Sequence, residues 1–200
     1  PSMSLGSVVG SPENFTFTFP TSTAAMLTRH NIHLVNIGNN HIMNFGRSGL
    51  LETEEWLDKA GVAYFGDPDK PEEERVERMD VAGIPFSFVN WSDWTPLDSR
   101  SATSNGAGDL NPTVAQIRKE AEAGRLVVVY THWGEEYMAT SSPRTQQLAR
   151  SFVDAGATMV IGSHPHVIQE HELYKGKHIY YSLGNFVFDQ YWEEAVRTGL

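Results

Sequence analysis

Ala157-Thr158-Met159-Val160-Ile161-Gly162-Ser163-His164-Pro165-His166 is the stretch that decides the fold. Its first five residues form an apolar, β-branched run, short enough for one buried strand. The run breaks at a glycine and releases two histidines, one residue apart and stiffened by a proline. Neutral imidazole is the commonest protein ligand for metals, and an H-x-H pair can bring two rings to one point. Two loop histidines making ordinary hydrogen bonds would read the same way, so the other strands must decide.

Those strands end alike. Ile32–Ile37 reads as a strand leading into Asn39-Asn40-His41. Leu126–Tyr130 leads into Thr131-His132-Trp133-Gly134, and His178–Leu183 into Gly184-Asn185. Helices are predicted between them: Thr21 to about His30, Arg47–Ala60 before Gly61, Pro112–Ala123 before Gly124, and Pro143–Ala155 before Gly156. Glycine just past the last turn and proline in the first are the expected punctuation. Val62–Phe65 is a short strand. Arg75–Val81 and Ile84–Val89 make a hairpin about Ala82-Gly83, and Val167–Tyr174 turns into His178–Leu183 at Lys175-Gly176-Lys177. Residues 1–20 form a loop running into an extended segment. Residues 67–75 read as a solvated excursion, and Trp91–Asn111 as a long polar loop.

Strands alternating with helices, plus hairpins, predict an α/β two-sheet sandwich flanked by helices rather than an eight-unit barrel. Ligands in open α/β sheets bind beyond the C-terminal strand ends. Four such ends carry Asn or His beside a glycine, which predicts that they converge.

Composition narrows the chemistry. Two hundred residues suit one domain spanning 1–200, and a net charge of -10 with no basic patch excludes nucleic acid as a partner. An acidic protein handling an anionic substrate needs bound cations to mask the repulsion. With no cysteine, zinc-finger and iron–sulfur sites are excluded, and any metal must sit on N and O ligands. Apolar runs are too short to span a bilayer. The opening Pro1-Ser2-Met3-Ser4-Leu5 has no initiator Met and no signal peptide, which reads as a processed or trimmed chain.

Each candidate has a plainer reading. His132 could bond a neighbouring carbonyl, Asn40 and Asn185 could be turn residues, and His41 reads either way. Glu135 and Glu136 fit general bases, carboxylates orienting a ligand histidine, or a solvated acidic pair. Trp91, Trp94, Trp133, Tyr137, Tyr191 and Trp192 fall in loops, where they wall a groove or pack against the sheet edge. His30, His33, His171 and His178 read as structural or exposed.

Taken together, Asn39-Asn40-His41, His132-Trp133-Gly134-Glu135-Glu136-Tyr137, Gly162-Ser163-His164-Pro165-His166 and Tyr181-Ser182-Leu183-Gly184-Asn185-Phe186 resemble the CapA/PgsA family of capsule (poly-γ-glutamate) synthesis proteins. That family lies within the calcineurin-like metallophosphoesterase superfamily, and the resemblance runs from about residue 14 to 190. It implies a two-sheet sandwich with a dinuclear metal site at the strand ends. Residue by residue it implies that Asn40, His132 and His164 hold one ion, that His166 holds the other, and that His41 is a catalytic acid. The Asp and Asn-Leu-Glu motifs that precede Asn-His in this family are not found, so the chain reads as lacking its first β-elements and as truncated at both ends.

The resemblance implies a metal-dependent hydrolase acting on a phosphoester or related bond, with Mn, Fe, Zn or Co as the divalent ion. Its partners would be an anionic polymer or phosphoester substrate and membrane-bound capsule synthesis subunits, at the extracytoplasmic face of the cell envelope. The competing expectation is a non-catalytic scaffold or binding subunit of a capsule polymer synthesis and export complex. A phosphodiesterase for nucleotides or other small phosphates shares the first mechanism.

Overall fold

The computed structural model describes residues 2–3, 17–93, 110–188 and 192–200. In chain order the elements are β1 (Ser2–Met3), β2 (Thr18–Phe19), α1 (Ser22–Arg29), β3 (Leu34–Asn36), α2 (Gly46–Ala60), β4 (Ala63–Phe65), β5 (Val76–Val81) and β6 (Ile84–Ser92). Then come α3 (Leu110–Glu122), β7 (Leu126–His132), α4 (Pro143–Ala155), β8 (Met159–Ser163), β9 (His171–Tyr174) and β10 (Lys177–Tyr180).

The main sheet has six strands in the order β5-β6-β7-β8-β10-β9. Its four inner strands run parallel, and β5 and β9 are antiparallel edges. Each edge joins its neighbour through two left-handed residues, Ala82-Gly83 (φ 52° and 82°) and Lys175-Gly176 (φ 50° and 74°). That backbone is the type I′ turn, whose twist matches a two-residue hairpin. Val89, Val129, Val160 and Ile179 lie in register across the inner strands, and all are buried. They pack with Trp133 and Tyr181 against Ile117 of α3 and Ala149 and Phe152 of α4. Each such side chain contributes about 1.5–3 kcal/mol by leaving water.

The second layer is a parallel pair, β3–β4, covered by α1 and α2 around Ala24, Ile37, Ile42, Leu50, Leu57 and Val62. Phe65 meets Phe88 of the main sheet with ring centroids 6.0 Å apart. Asn90 Nδ2 donates to Asn36 Oδ1 (3.1 Å) and to the Gly38 carbonyl (3.2 Å). Gly38 is required there, since a Cβ would lie 2.5 Å from the Asn90 amide. The predicted α/β sandwich is therefore the observed one, with β1 and β2 as a further short parallel pair, and the β3–β4 pair meets the six-stranded sheet at Asn36, Gly38 and Asn90, just ahead of Asn40.

Several boundaries moved. β6 runs past Val89 through Trp91, which is buried and packs on Trp133 and Phe152, so Trp91 belongs to the core rather than a loop. The remainder of that predicted loop, with Trp94, lies outside the described residues, as does Tyr191. β8 starts at Met159 and carries Gly162-Ser163 within the strand, whereas β9 keeps only the last four residues of Val167–Tyr174. The 67–75 segment is not simply solvated. Arg75 donates to the Lys70 and Pro68 carbonyls and folds it back, and Asp67 is buried.

Candidate metal centre at the strand ends

β3 ends one residue before Ile37-Gly38, and the chain then turns on Asn39. The Asn39 carboxamide accepts from the His41 N–H (2.9 Å) and donates to the Ile37 carbonyl (3.1 Å). This local turn, which Asn side chains favour, delivers Asn40 and His41 ahead of α2. β7 delivers His132 as its last residue, and β8 delivers His164 and His166 just past its end. Both of these histidines hold a left-handed backbone, φ 101° and 61°, a conformation costing about 1–3 kcal/mol each that clusters at functional sites.

The predicted residues come together. Asn40, His41, His132 and His166 line one cleft of ≈ 190 Å³ with Tyr130 and Ser163. His132 Nε2 lies 2.9 Å from Asn40 Oδ1, and the His132 ring is 4.6 Å from that of His164. His164 is 5.9 Å from His166, ring to ring, and is buried at 6% exposure.

The donor set fits a divalent cation. Ser163 Oγ donates to the Thr131 carbonyl (2.8 Å), so it is free to accept from His132 Nδ1 at 3.3 Å. In that tautomer His132 Nε2 and Asn40 Oδ1 face each other as two acceptors, an arrangement suited to a cation between them. Without a cation the other tautomer satisfies the pair, with Nε2–H donating to Asn40. His166 is fixed more firmly. Asn185 Nδ2 donates to the Val196 carbonyl (2.9 Å), so its Oδ1 accepts from His166 Nδ1 at 2.7 Å and leaves Nε2 bare. Asn185 is thus more than a turn residue: it fixes the orientation of the His166 ring. His41 Nδ1 donates to Asn44 Oδ1 (2.9 Å), which also accepts from the Phe17 N–H (3.0 Å). Nothing in the sequence singled out Asn44, whose spacing of three from His41 is its only signal.

Electrostatics keep the rings unprotonated. Burial, then the neighbouring His166 and His41, push His164 down to about 4. Burial and the His164 ring carry His132 well below the ordinary 6.5. Burial outweighs the Asn44 hydrogen bond and lowers His41 as well. A ligand must offer a lone pair, and these rings offer theirs at neutral pH. The same shift makes the metal-free fold acid-sensitive. Between 6.5 and 4 the unfolded chain binds more protons than the folded one, so stability rises with pH across that window and is lost as pH falls through it. His164 alone contributes up to about 3 kcal/mol of this slope. Urea unfolding in chelator should show a midpoint that falls from pH 7 to pH 4.5, and a shallower fall in His164→Gln. An identical slope in both would contradict the assignment.

Of the flanking groups, Glu136 Oε1 stands 3.9 Å from His166 Nε2, whereas Glu135 lines a separate cavity with Asp93 and Arg144. Trp133 is fully buried in the core; Tyr137 and Trp192 are exposed and meet edge-on at 6.0 Å. His171 and His178 form an exposed pair on the β9–β10 hairpin, away from the cleft lining.

A layered α/β protein with a His/Asn cluster at the C-terminal ends of three strands is the class these features define. The chain belongs to the bacterial capsule synthesis protein PGA_cap family, whose profile matches residues 5–190. It is 37% identical over 176 residues to the capsule biosynthesis protein CapA of Bacillus anthracis, covering 84% of this chain and 43% of that protein. The PGA biosynthesis protein CapA of Bacillus subtilis (strain 168) is 36% identical over 183 residues, 85% of this chain and 46% of the relative. A Mycobacterium tuberculosis protein named as a probable polyglutamine synthesis accessory protein is 30% identical over 183 residues, covering 82% and 47%. The chain therefore spans less than half the length of these relatives.

Proposed function

We propose that this chain carries the metal centre of a hydrolase of bacterial capsule or poly-γ-glutamate biosynthesis, acting on a phosphoester or related bond. The observation that supports it most is the meeting of Asn40, His132 and His166, from three separate strand ends, at one cleft, with His164 packed against the His132 and His166 rings. Asn40, His132 and His164 would hold one divalent ion and His166 a second, with Mn, Fe, Zn or Co suited to the N and O donors. Bound there, such ions supply Lewis-acid chemistry and neutralise charge on the attacked centre. His41 would hand a proton from Nε2 to the leaving atom, since Nδ1 is engaged by Asn44. Because burial lowers its pKa, the protonated fraction shrinks as pH rises through a value below 6.5, so hydrolysis that depends on it should decline from mildly acidic to alkaline pH.

The substrate class that fits is an anionic polymer or phosphoester, with membrane-bound capsule synthesis subunits as partners. Family membership in capsule synthesis supports a place at the extracytoplasmic face of the envelope. Among the described residues no helix is long and apolar enough to cross a membrane. A second reading, a non-catalytic scaffold of the polymer machinery, draws support from the word accessory in the mycobacterial relative's name. The two part in one assay. The chain, loaded with Mn²⁺ or Zn²⁺, is given bis(p-nitrophenyl) phosphate and γ-glutamyl polymer. Turnover abolished by His41→Ala and by chelator supports the hydrolase; bound metal with neither substrate consumed supports the scaffold.

A further inference from the structure

We propose that Glu136 is a metal ligand, and that it joins His166 at the second ion position, beside the one assigned to Asn40, His132 and His164. The inference rests on the metal reading above and extends it, because none of the residues assigned to the centre so far brings a carboxylate. One ligand atom from each of Glu136, His164 and His166 lies within 4.8 Å of the others. An imidazole and a carboxylate, with positions left open, suit a divalent zinc or iron ion.

The hydrogen-bond chain at His166 carries the argument further. Asn185 takes the Nδ1 proton, so Nε2 presents a lone pair. What it faces is another acceptor, Glu136 Oε1, at 3.9 Å. That is too long for a hydrogen bond. Bonds of about 2.0–2.2 Å to a shared ion span up to about 4.2 Å, so the gap accommodates one cation.

The loop bearing Glu136 is also clamped in place. Tyr137 N–H donates to the Pro165 carbonyl at 2.8 Å, which locks it to the middle of the H-x-H motif. The Tyr137 ring stacks on His166 with centroids 5.9 Å apart, and its backbone is left-handed at φ 63°. Gly134, also left-handed at φ 83°, starts the turn. The outcome separates two adjacent carboxylates: Glu136 lies over His166, and Glu135 lines the ≈ 520 Å³ cavity with Asp93 and Arg144.

The test is Mn²⁺ or Zn²⁺ binding by calorimetry to the 200-residue chain and to Glu136→Gln, Glu135→Gln and His166→Ala. Glu136→Gln and His166→Ala should both lose one ion per chain, or bind it about tenfold or more weakly. Glu135→Gln removes the same charge one residue away and should bind like the parent. Circular dichroism and melting in chelator should be unchanged for Glu136→Gln, since the side chain is exposed. If Glu136→Gln binds like the parent, or Glu135→Gln is equally weakened, the proposal falls while the Asn40–His132–His164 centre stands. If the parent binds no ion, the metal reading falls and this proposal with it.

Discussion

His164→Ala should lose the ion held with Asn40 and His132, and hydrolysis with it. His164 is the buried member of the cluster, with the His132 ring 4.6 Å away on one side and His166 5.9 Å away on the other. It is therefore the ring around which the cluster is packed. Burial lowers it to about 4, so it offers its lone pair at any pH near neutral. Losing an outer partner of a metal site typically costs 10–100-fold in affinity, and losing a ligand should cost at least that. Asn40→Ala should fall in the same way, because its Oδ1 stands 2.9 Å from His132 Nε2. His171→Ala is the matched control: another histidine, exposed, on the β9–β10 hairpin, with no expected effect on binding. Calorimetry and a phosphodiester assay on the same preparations check all three. Retained metal with lost hydrolysis would remove His164 from the ligand set.

Gly162→Ala unfolds the site from beneath. A Cβ at Gly162 would lie 2.0 Å from the Tyr181 carbonyl oxygen and 2.6 Å from Trp133 Nε1. Those two atoms are hydrogen-bonded to each other at 2.8 Å, across the glycine, inside the core. A backbone oxygen cannot swing aside, so the chain at Tyr181 must move away from β8 and the indole must give up its acceptor. Overpacking of about 1–3 kcal/mol adds to about 1–3 kcal/mol for the stranded buried donor. The expected total, about 4 kcal/mol, lowers the melting temperature by roughly 10 °C or more in a chain of this size. Gly176→Ala is the contrast: its Cβ meets nothing within 4 Å, leaving only the left-handed φ of 74°, worth about 1 kcal/mol. Thermal melts of both variants decide it, and equal shifts would contradict the account.

The H-x-H motif and this clash share an origin. Gly162 lets β8 pass close under Tyr181 and Trp133, and the strand then releases His166 into the cleft and buried His164 beside it. In the sequence the glycine marked a strand end, and so did Gly38 and Gly134. That much was legible because apolar β-branched runs and their glycine breaks are local signals. Trp91 was not, since the polar residues after it masked a strand that only the pairing with β7 extends. Choosing between Glu135 and Glu136 was beyond the sequence for a related reason. Adjacent residues share every compositional signal, and it is the Tyr137–Pro165 hydrogen bond, between distant segments, that turns one of them towards His166. The roles of Asn44 and Asn185 likewise depend on tertiary contacts that their own neighbours do not encode.

The central claim is that these strand ends form a metal centre, and metal content tests it most directly. The chain is incubated with Mn²⁺ or Zn²⁺, dialysed against metal-free buffer at pH 7, and measured by inductively coupled plasma mass spectrometry beside His164→Ala. The account predicts one or two ions per parent chain and one fewer in the variant. A parent chain that retains no ion, or a variant that retains as much as the parent, would contradict it.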